Sequence, residues 1–155
     1  MDVKIRLLEN HEEVPLDLLL LADPSQEMIE EYLQRGQCYV GLDEREQIIA
    51  VIVLLPTRPG TLEIVNIAVR EAFQGRGIGK KLIQFAMDQA REKNAKTIEI
   101  GTGNSSVGQL LLYQKCGFRI TGIDRDFFIR HYPEKIYENG IQCRDMIRLS
   151  LDLFE

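Results

Sequence analysis

A run of glycines and cations, Gln74-Gly75-Arg76-Gly77-Ile78-Gly79-Lys80-Lys81, follows an apolar, β-branched segment that ends near Val69. Glycine has no Cβ, so such a loop can adopt left-handed φ and bring its backbone close to a ligand. A helix that starts behind the loop presents unpaired N–H groups and the positive end of its dipole. Strand end, glycine loop and helix start together suit a pyrophosphate, and Arg76, Lys80 and Lys81 add positive charge to it. Three kinds of loop compete for this pattern. A Walker A loop needs Gly-x-x-x-x-Gly-Lys-Ser/Thr, but Gln74 stands where its first glycine belongs and Lys81 where its hydroxyl belongs. A dinucleotide fingerprint needs Gly-x-Gly-x-x-Gly, but after Gly75 and Gly77 the third position is Lys80. The third is a glycine-rich turn that binds nothing.

Other reactive side chains form no local constellation. His11 and His131 are far apart, and no Cys/His cluster has zinc spacing, so no metal site is expected. Cys116 falls at a helix end just before Gly117, where a cysteine serves as a small packed hydrophobe.

The elements that must position the loop can be read from periodicity. Val3–Leu8 alternates as a strand, and Pro15–Ala22 reads as a short apolar helix. Ser25 is an N-cap for a second helix that stops at Gly36. Gln37–Leu42 and Gln47–Leu55 read as a hairpin around Asp43–Glu46, Pro56–Gly60 as a turn, and Leu62–Val69 as the next strand. Ile78, Leu82, Phe85, Ala86 and Ala90 then recur at helical spacing, which predicts a helix over about 77–93. Thr97–Gly101 is a short strand. Ser106 with Gln109 has capping-box form and opens a helix that Gly117 closes. Phe118–Ile123 and Asp145–Leu153 read as the last strands, joined by a polar connection around Arg130–Gln142. The order β-α-α-β-β-β-α-β-α-β-β predicts an α+β fold, not regular βαβ winding.

Bulk properties narrow the field. The 155 residues suit one domain over 1–155, and 45% hydrophobic content supplies a core. A net charge of -5 argues against nucleic acid as a partner. No apolar stretch approaches the roughly 20 residues of a membrane span, and the start, Met1-Asp2-Val3-Lys4, lacks the features of a signal peptide. The three cysteines, Cys38, Cys116 and Cys143, make no disulfide framework and fit a reducing compartment. A cytoplasmic protein is expected.

Two segments carry a family resemblance. Gln74-x-x-Gly77-x-Gly79 is similar to the Q/R-x-x-G-x-G/A pattern of the GNAT superfamily of acyl-CoA-dependent N-acyltransferases, and Asn66-Ile67-Ala68-Val69 resembles the end of that family's fourth strand. Further on, Leu112-Tyr113-Gln114-Lys115-Cys116-Gly117-Phe118 resembles its Leu-Tyr-x-x-x-Gly-Phe segment, at the usual separation. The resemblance covers about 62–119 and extends by element order to the rest. It implies a central mixed, mostly antiparallel sheet flanked by helices, with acetyl-CoA as co-substrate and direct transfer to an amine. It implies that the fourth and fifth strands splay, that Ile67, Ala68 and Val69 bond the pantetheine arm, and that the backbone of Gln74, Gly75, Arg76, Gly77, Ile78, Gly79 and Lys80 holds the pyrophosphate. Asn104 would bond the amide arm, although many relatives place that asparagine nearer the tyrosine, where this chain has Ser106.

The same resemblance makes Tyr113 the general acid for the leaving thiolate. A phenol with a pKa of about 10 stays protonated at neutral pH and can donate. Glu63 matches the catalytic glutamate of the histone-acetyltransferase branch, with Glu99 as the runner-up base and water as the alternative. Some relatives carry an acidic residue where this chain has Gly101. The acceptor site would be built from Leu16–Gly36 and Asp124–Asp145, the latter carrying Asp124, Asp126, His131, Tyr132, Glu134, Tyr137 and Glu138. Carboxylates with aromatic rings suit a cationic amine. Tyr132-Pro133, Gly140 and Asp145-Met146-Ile147 resemble the C-terminal part of ribosomal-protein N-terminal acetyltransferases, so peptide and small-molecule amines both stand. Homodimers are common in the family. A non-catalytic acyl-CoA-binding domain on the same fold is the alternative class.

Overall fold

The computed structural model describes residues 2–153. Strand β1 (Lys4–Leu7) leads to helices α1 (Leu16–Ala22) and α2 (Gln26–Arg35), then to β2 (Gln37–Leu42), β3 (Ile48–Arg58) and β4 (Thr61–Val69). A 3₁₀ turn, Glu71–Phe73, and the glycine loop lead to α3 (Ile78–Glu92). The chain continues through β5 (Thr97–Gly103), α4 (Val107–Lys115), β6 (Arg119–Asp124), α5 (Phe127–His131), β7 (Ile136–Glu138), β8 (Ile141–Cys143) and β9 (Met146–Asp152). Seven strands form one sheet in the order β1-β2-β3-β4-β5-β9-β6, and β7 pairs only with β8. Neighbours are antiparallel except β4 and β5, which run parallel. This is the expected mixed, mostly antiparallel sheet.

The apolar run Ile49–Leu55 in β3 is buried on both faces of the sheet, in keeping with a short, unbroken apolar segment. Ile52 and Leu54 meet Ile78, Leu82, Ile83 and Ala86 of α3. Val51, Val53 and Leu55 meet Leu18 and Leu19 of α1 and Ile29 and Tyr32 of α2. The two layers clamp the centre of the sheet and fix β4 between them.

Several expectations hold in detail. The Ser25 hydroxyl accepts from the Met28 N–H at 3.2 Å and caps α2, and Gly117 takes φ +104° after α4. Others need correction. The strand β3 runs through Pro56, paired with Leu62, so the turn shrinks to Pro59-Gly60, with Gly60 at φ +78°. A register irregularity at Pro56/Arg58 accommodates the missing proline N–H. Ser106 caps nothing, because its hydroxyl donates instead to Glu138 Oε1 at 2.8 Å. The polar connection around 130–142 contains the end of α5 and the β7–β8 hairpin, elements the sequence reading did not assign. Asn139 and Gly140, both at positive φ, form its two-residue turn, and Asn-Gly between short apolar-polar runs is the sequence signal that predicts it.

Candidate active site

Two clefts open on either side of a single break in the sheet. The strands β4 and β5 pair in parallel from Thr61↔Thr97 to Ile64↔Ile100 and then part. At the same point the β3–β4 register skips Val65, with Val53 opposite Asn66 and Leu54 opposite Ile64. A bulge of this kind bends its strand and sharpens the local twist. Beyond it, Ile67, Ala68 and Val69 pair with Ile52, Val51 and Ala50 on one side only. Their other edge faces the larger cleft, about 570 Å³, as a row of backbone groups without a β5 partner.

That cleft is closed at one end by the glycine loop. Gly75 and Gly77 both take φ +79°, and open space surrounds the place of a Cβ at each. Glycine is therefore required by backbone conformation, not by crowding. The Gln74 side-chain amide donates to the Val69 carbonyl at 2.9 Å and ties the loop back to the strand it leaves. Behind it α3 begins, a helix of 15 residues, whose first turn carries the usual unpaired N–H groups. Gln74, Gly75, Gly77, Ile78, Gly79 and Lys80 line this end of the cleft. The Ile78 side chain is in the core, so only its backbone can serve a ligand. Arg76 does not line the cleft; its guanidinium lies 5.2 Å above the Phe73 ring.

Tyr113 lines both clefts. It is buried, and burial pushes its phenol well above the ordinary tyrosine range. Its ring packs beside Phe118, 6.3 Å between centroids, which places the hydroxyl-bearing side chain on a rigid part of α4. A phenol in this setting is a proton donor and not a base.

The smaller cleft, about 310 Å³, lies across the break. Its walls come from the α1–α2 turn, from Ile64–Ile67 of β4 and Ile100–Gly103 of β5, and from the arm formed by α5, β7 and β8. Asp23 joins these walls: its carboxylate accepts from the Tyr132 hydroxyl at 2.8 Å, the Tyr32 hydroxyl at 3.2 Å and the Ser25 N–H at 3.1 Å. Burial, followed by the hydrogen bond to Asp23, raises the Tyr132 phenol far above its usual range. Of the acceptor residues expected from sequence, Tyr132 and Glu138 line this cleft. Asp124 pairs instead with Arg130 at 2.7 Å, and Asp126 with Arg144 at 3.0 Å; His131, Glu134 and Tyr137 also lie outside the lining.

Two expected site residues are placed elsewhere. Asn104 lines neither cleft. Its Nδ2 donates to the Gln142 carbonyl, and its Oδ1 accepts from the Arg144 and Asp145 N–H groups, at 2.8–3.1 Å. With its amide engaged at both ends, it pins the start of β9 to the end of β5, away from both clefts. Glu63 alternates with Leu62 and Ile64, so it points to the face opposite α3, outside both clefts. Its carboxylate sits 3.8 Å from Arg148, and burial, partly opposed by Arg148, raises its pKa. Glu99 is held by Arg58 in an ion pair. Conversely, Asp23 escaped the sequence reading, since its partner Tyr132 is 109 residues away.

Among the described residues no helix is long and apolar enough to cross a membrane, and no group of three metal-ligating side chains gathers.

The profile of the family described as "Acetyltransferase (GNAT) family" matches residues 7–118. The chain is 58% identical over 151 residues to the "Uncharacterized N-acetyltransferase YvbK" of Bacillus subtilis (strain 168), covering 97% of each protein. It is similar to the crystal structure of a GNAT family acetyltransferase from Elizabethkingia anophelis with acetyl-CoA bound, at 50% identity and a TM-score of 0.95, over 97% of this chain and 98% of that one. A Bacillus subtilis acetyltransferase crystallised in complex with CoA is 57% identical, with a TM-score of 0.93 over 99% of this chain and all of the other. The chain belongs to the acetyltransferase (GNAT) family.

Proposed function

We propose that this protein transfers the acetyl group of acetyl-CoA to the amine of a small molecule, by direct attack within one ternary complex. The observation that carries the reading is the meeting of two clefts of different character at Tyr113. One has an unpaired strand edge and a left-handed glycine loop at a helix start, which suit an amide-bearing arm and a pyrophosphate. The other is polar and roofed by the α5–β7–β8 arm.

Gly75, Gly77, Gly79 and Lys80 would hold the pyrophosphate, and the free edge of Ile67, Ala68 and Val69 the arm. When bound, acetyl-CoA supplies an activated acyl carbon and a thiolate leaving group. A backbone N–H near Val69 polarises the carbonyl as negative charge gathers on its oxygen. The amine must be neutral to attack, since an ammonium has no lone pair. Its nitrogen forms the new C–N bond while the C–S bond breaks. Tyr113 donates its proton to the departing sulfur, the proton lost by the nitrogen passes to solvent water, and Tyr113 regains one from solvent before the next turnover. Holding both partners at attack distance contributes several further kcal/mol, up to roughly 7–11 in well-oriented cases.

Thermal unfolding with acetyl-CoA, against ATP and NAD as controls, tests the cofactor side. Ligand at about 100 times its dissociation constant adds roughly 2.7 kcal/mol, several degrees in a domain of this size. A selective rise followed by thiol release with an amine panel supports transfer. A rise without acylation of any amine favours a non-catalytic acyl-CoA-binding domain, and no rise removes both.

A further inference from the structure

The smaller cleft contains a buried amide with a single unused acceptor. Asn66 sits at the bulge where β4 leaves β5 and is 3% exposed. Its Nδ2 donates to the Leu19 carbonyl at 3.0 Å and to the Tyr32 hydroxyl at 2.8 Å. Turning the amide over would set Oδ1 against the Leu19 carbonyl and draw the Tyr32 hydroxyl proton away from Asp23, so Oδ1 is the atom left over. That Oδ1 is buried and has no hydrogen-bond partner among the described residues. A buried carbonyl oxygen without a donor is a standing cost that an incoming N–H relieves.

The charges of the same cleft point to the same kind of visitor. Its lining holds two carboxylates, Asp23 and Glu138, and no lysine, arginine or histidine. Among the described residues both carboxylates are bound by neutral donors only: Asp23 by two tyrosine hydroxyls and a backbone N–H, Glu138 by the hydroxyls of Ser105 and Ser106. Such bonds orient a carboxylate without cancelling its charge. The Phe128 and Tyr132 rings stand 5.4 Å apart in the same wall and offer π-faces to a cation.

Resting on the acyl-transfer reading above, we propose that the acceptor is a small amine carrying a second, cationic nitrogen. Its attacking nitrogen is directed by Asn66 Oδ1 toward Tyr113, and its charge is held by Asp23 and Glu138. Asn66 is thus a positioning residue, and the two carboxylates set specificity.

The test compares diaminopropane, diaminobutane and diaminopentane with the monoamine and the amino acid of the same chain length. At least one diamine is expected to exceed its monoamine in kcat/KM by about tenfold, the ratio one charge-assisted hydrogen bond contributes, with the amino acid below both. In Glu138→Gln, which keeps an acceptor for Ser106, that ratio is expected to fall toward one. Both rates come from the same folded fraction, so partial unfolding cannot imitate the result. A monoamine or amino acid preferred over every diamine, or a ratio unaltered in the variant, overturns the proposal. Should the variant not fold, or no probe turn over, thermal shifts of the wild type with CoA present decide. A further rise with a diamine and none with its monoamine supports the site, and equal shifts or none overturn it. Absence of any shift with CoA itself defeats the acyl-transfer reading instead, so the two failures are separable.

Discussion

The larger cleft takes most of its wall from two short stretches of chain, 67–80 and 108–113, and presents backbone to its ligand. The smaller cleft draws on residues from Leu20 to Met146 and presents side chains. Backbone recognition needs a conformation, and a conformation leaves a local mark: glycines at left-handed φ just before a helix. Side-chain recognition needs only that distant residues arrive together. Asp23 and Tyr132 show this, joined at 2.8 Å across 109 positions. The first kind of site suits a ligand shared by many enzymes, and the second one that varies between them.

The contrast can be broken at the point where the clefts meet. Tyr113→Phe keeps the ring and its packing but removes the proton donor. A fall in kcat of about 10²- to 10⁴-fold is expected, with the acetyl-CoA KM little altered. Unchanged turnover would mean that Tyr113 only packs beside Phe118.

Each cleft can then be damaged alone. Gly77→Val forces a β-branched residue to φ +79°, a strain of about 1–2 kcal/mol. Calorimetry should show acetyl-CoA affinity weakened by about tenfold, while the acceptor KM stays near that of the wild type. The converse comes from Gly140→Val in the β7–β8 turn, at φ +74°. There the acceptor KM should rise by roughly three- to tenfold, since the hairpin carrying Glu138 shifts. An equal loss on both substrates in either variant would show that the two clefts behave as one unit.

The smallest effect is expected outside both clefts. Burial outweighs Arg148 and raises the Glu63 pKa, so the folded chain holds this proton more tightly than the unfolded chain does. The contribution to stability is therefore greatest below the ordinary carboxylate range and is lost as pH rises through the raised pKa. Glu63→Gln should abolish that pH dependence, match or exceed the wild-type melting point at neutral pH, and leave turnover within about twofold. A large loss of kcat would restore Glu63 to the chemistry, acting through water.

Much of the scaffold was legible because burial and backbone geometry write themselves into local pattern. The unbroken apolar run of β3 announced a strand, and the structure buries it on both faces. The recurrence of Ile78, Leu82 and Ala86 every four residues announced the helix that covers one of those faces. Where the reading failed, a local signal was outbid by a distant partner. Ser106 had the form of a cap, but Glu138 took its hydroxyl. Asn104 stood in the loop after β5, where the family's cofactor asparagine would be sought, but the backbone of Gln142–Asp145 engaged both ends of its amide and held it outside the clefts. Glu63 stood at the right place on its strand, but β4 is still paired with β5 there, and it lines neither cleft.

Sequence alone determined the family, the order of the main elements and the glycine loop, because each depends on residues near one another in the chain. Tertiary structure decided the bulge that opens β4 from β5, the orphaned acceptor of Asn66 and the arrival of Asp23 and Glu138 in the lining of the smaller cleft. Those depend on which surfaces the packed layers bring together, and no spacing along a chain encodes a contact over 109 residues.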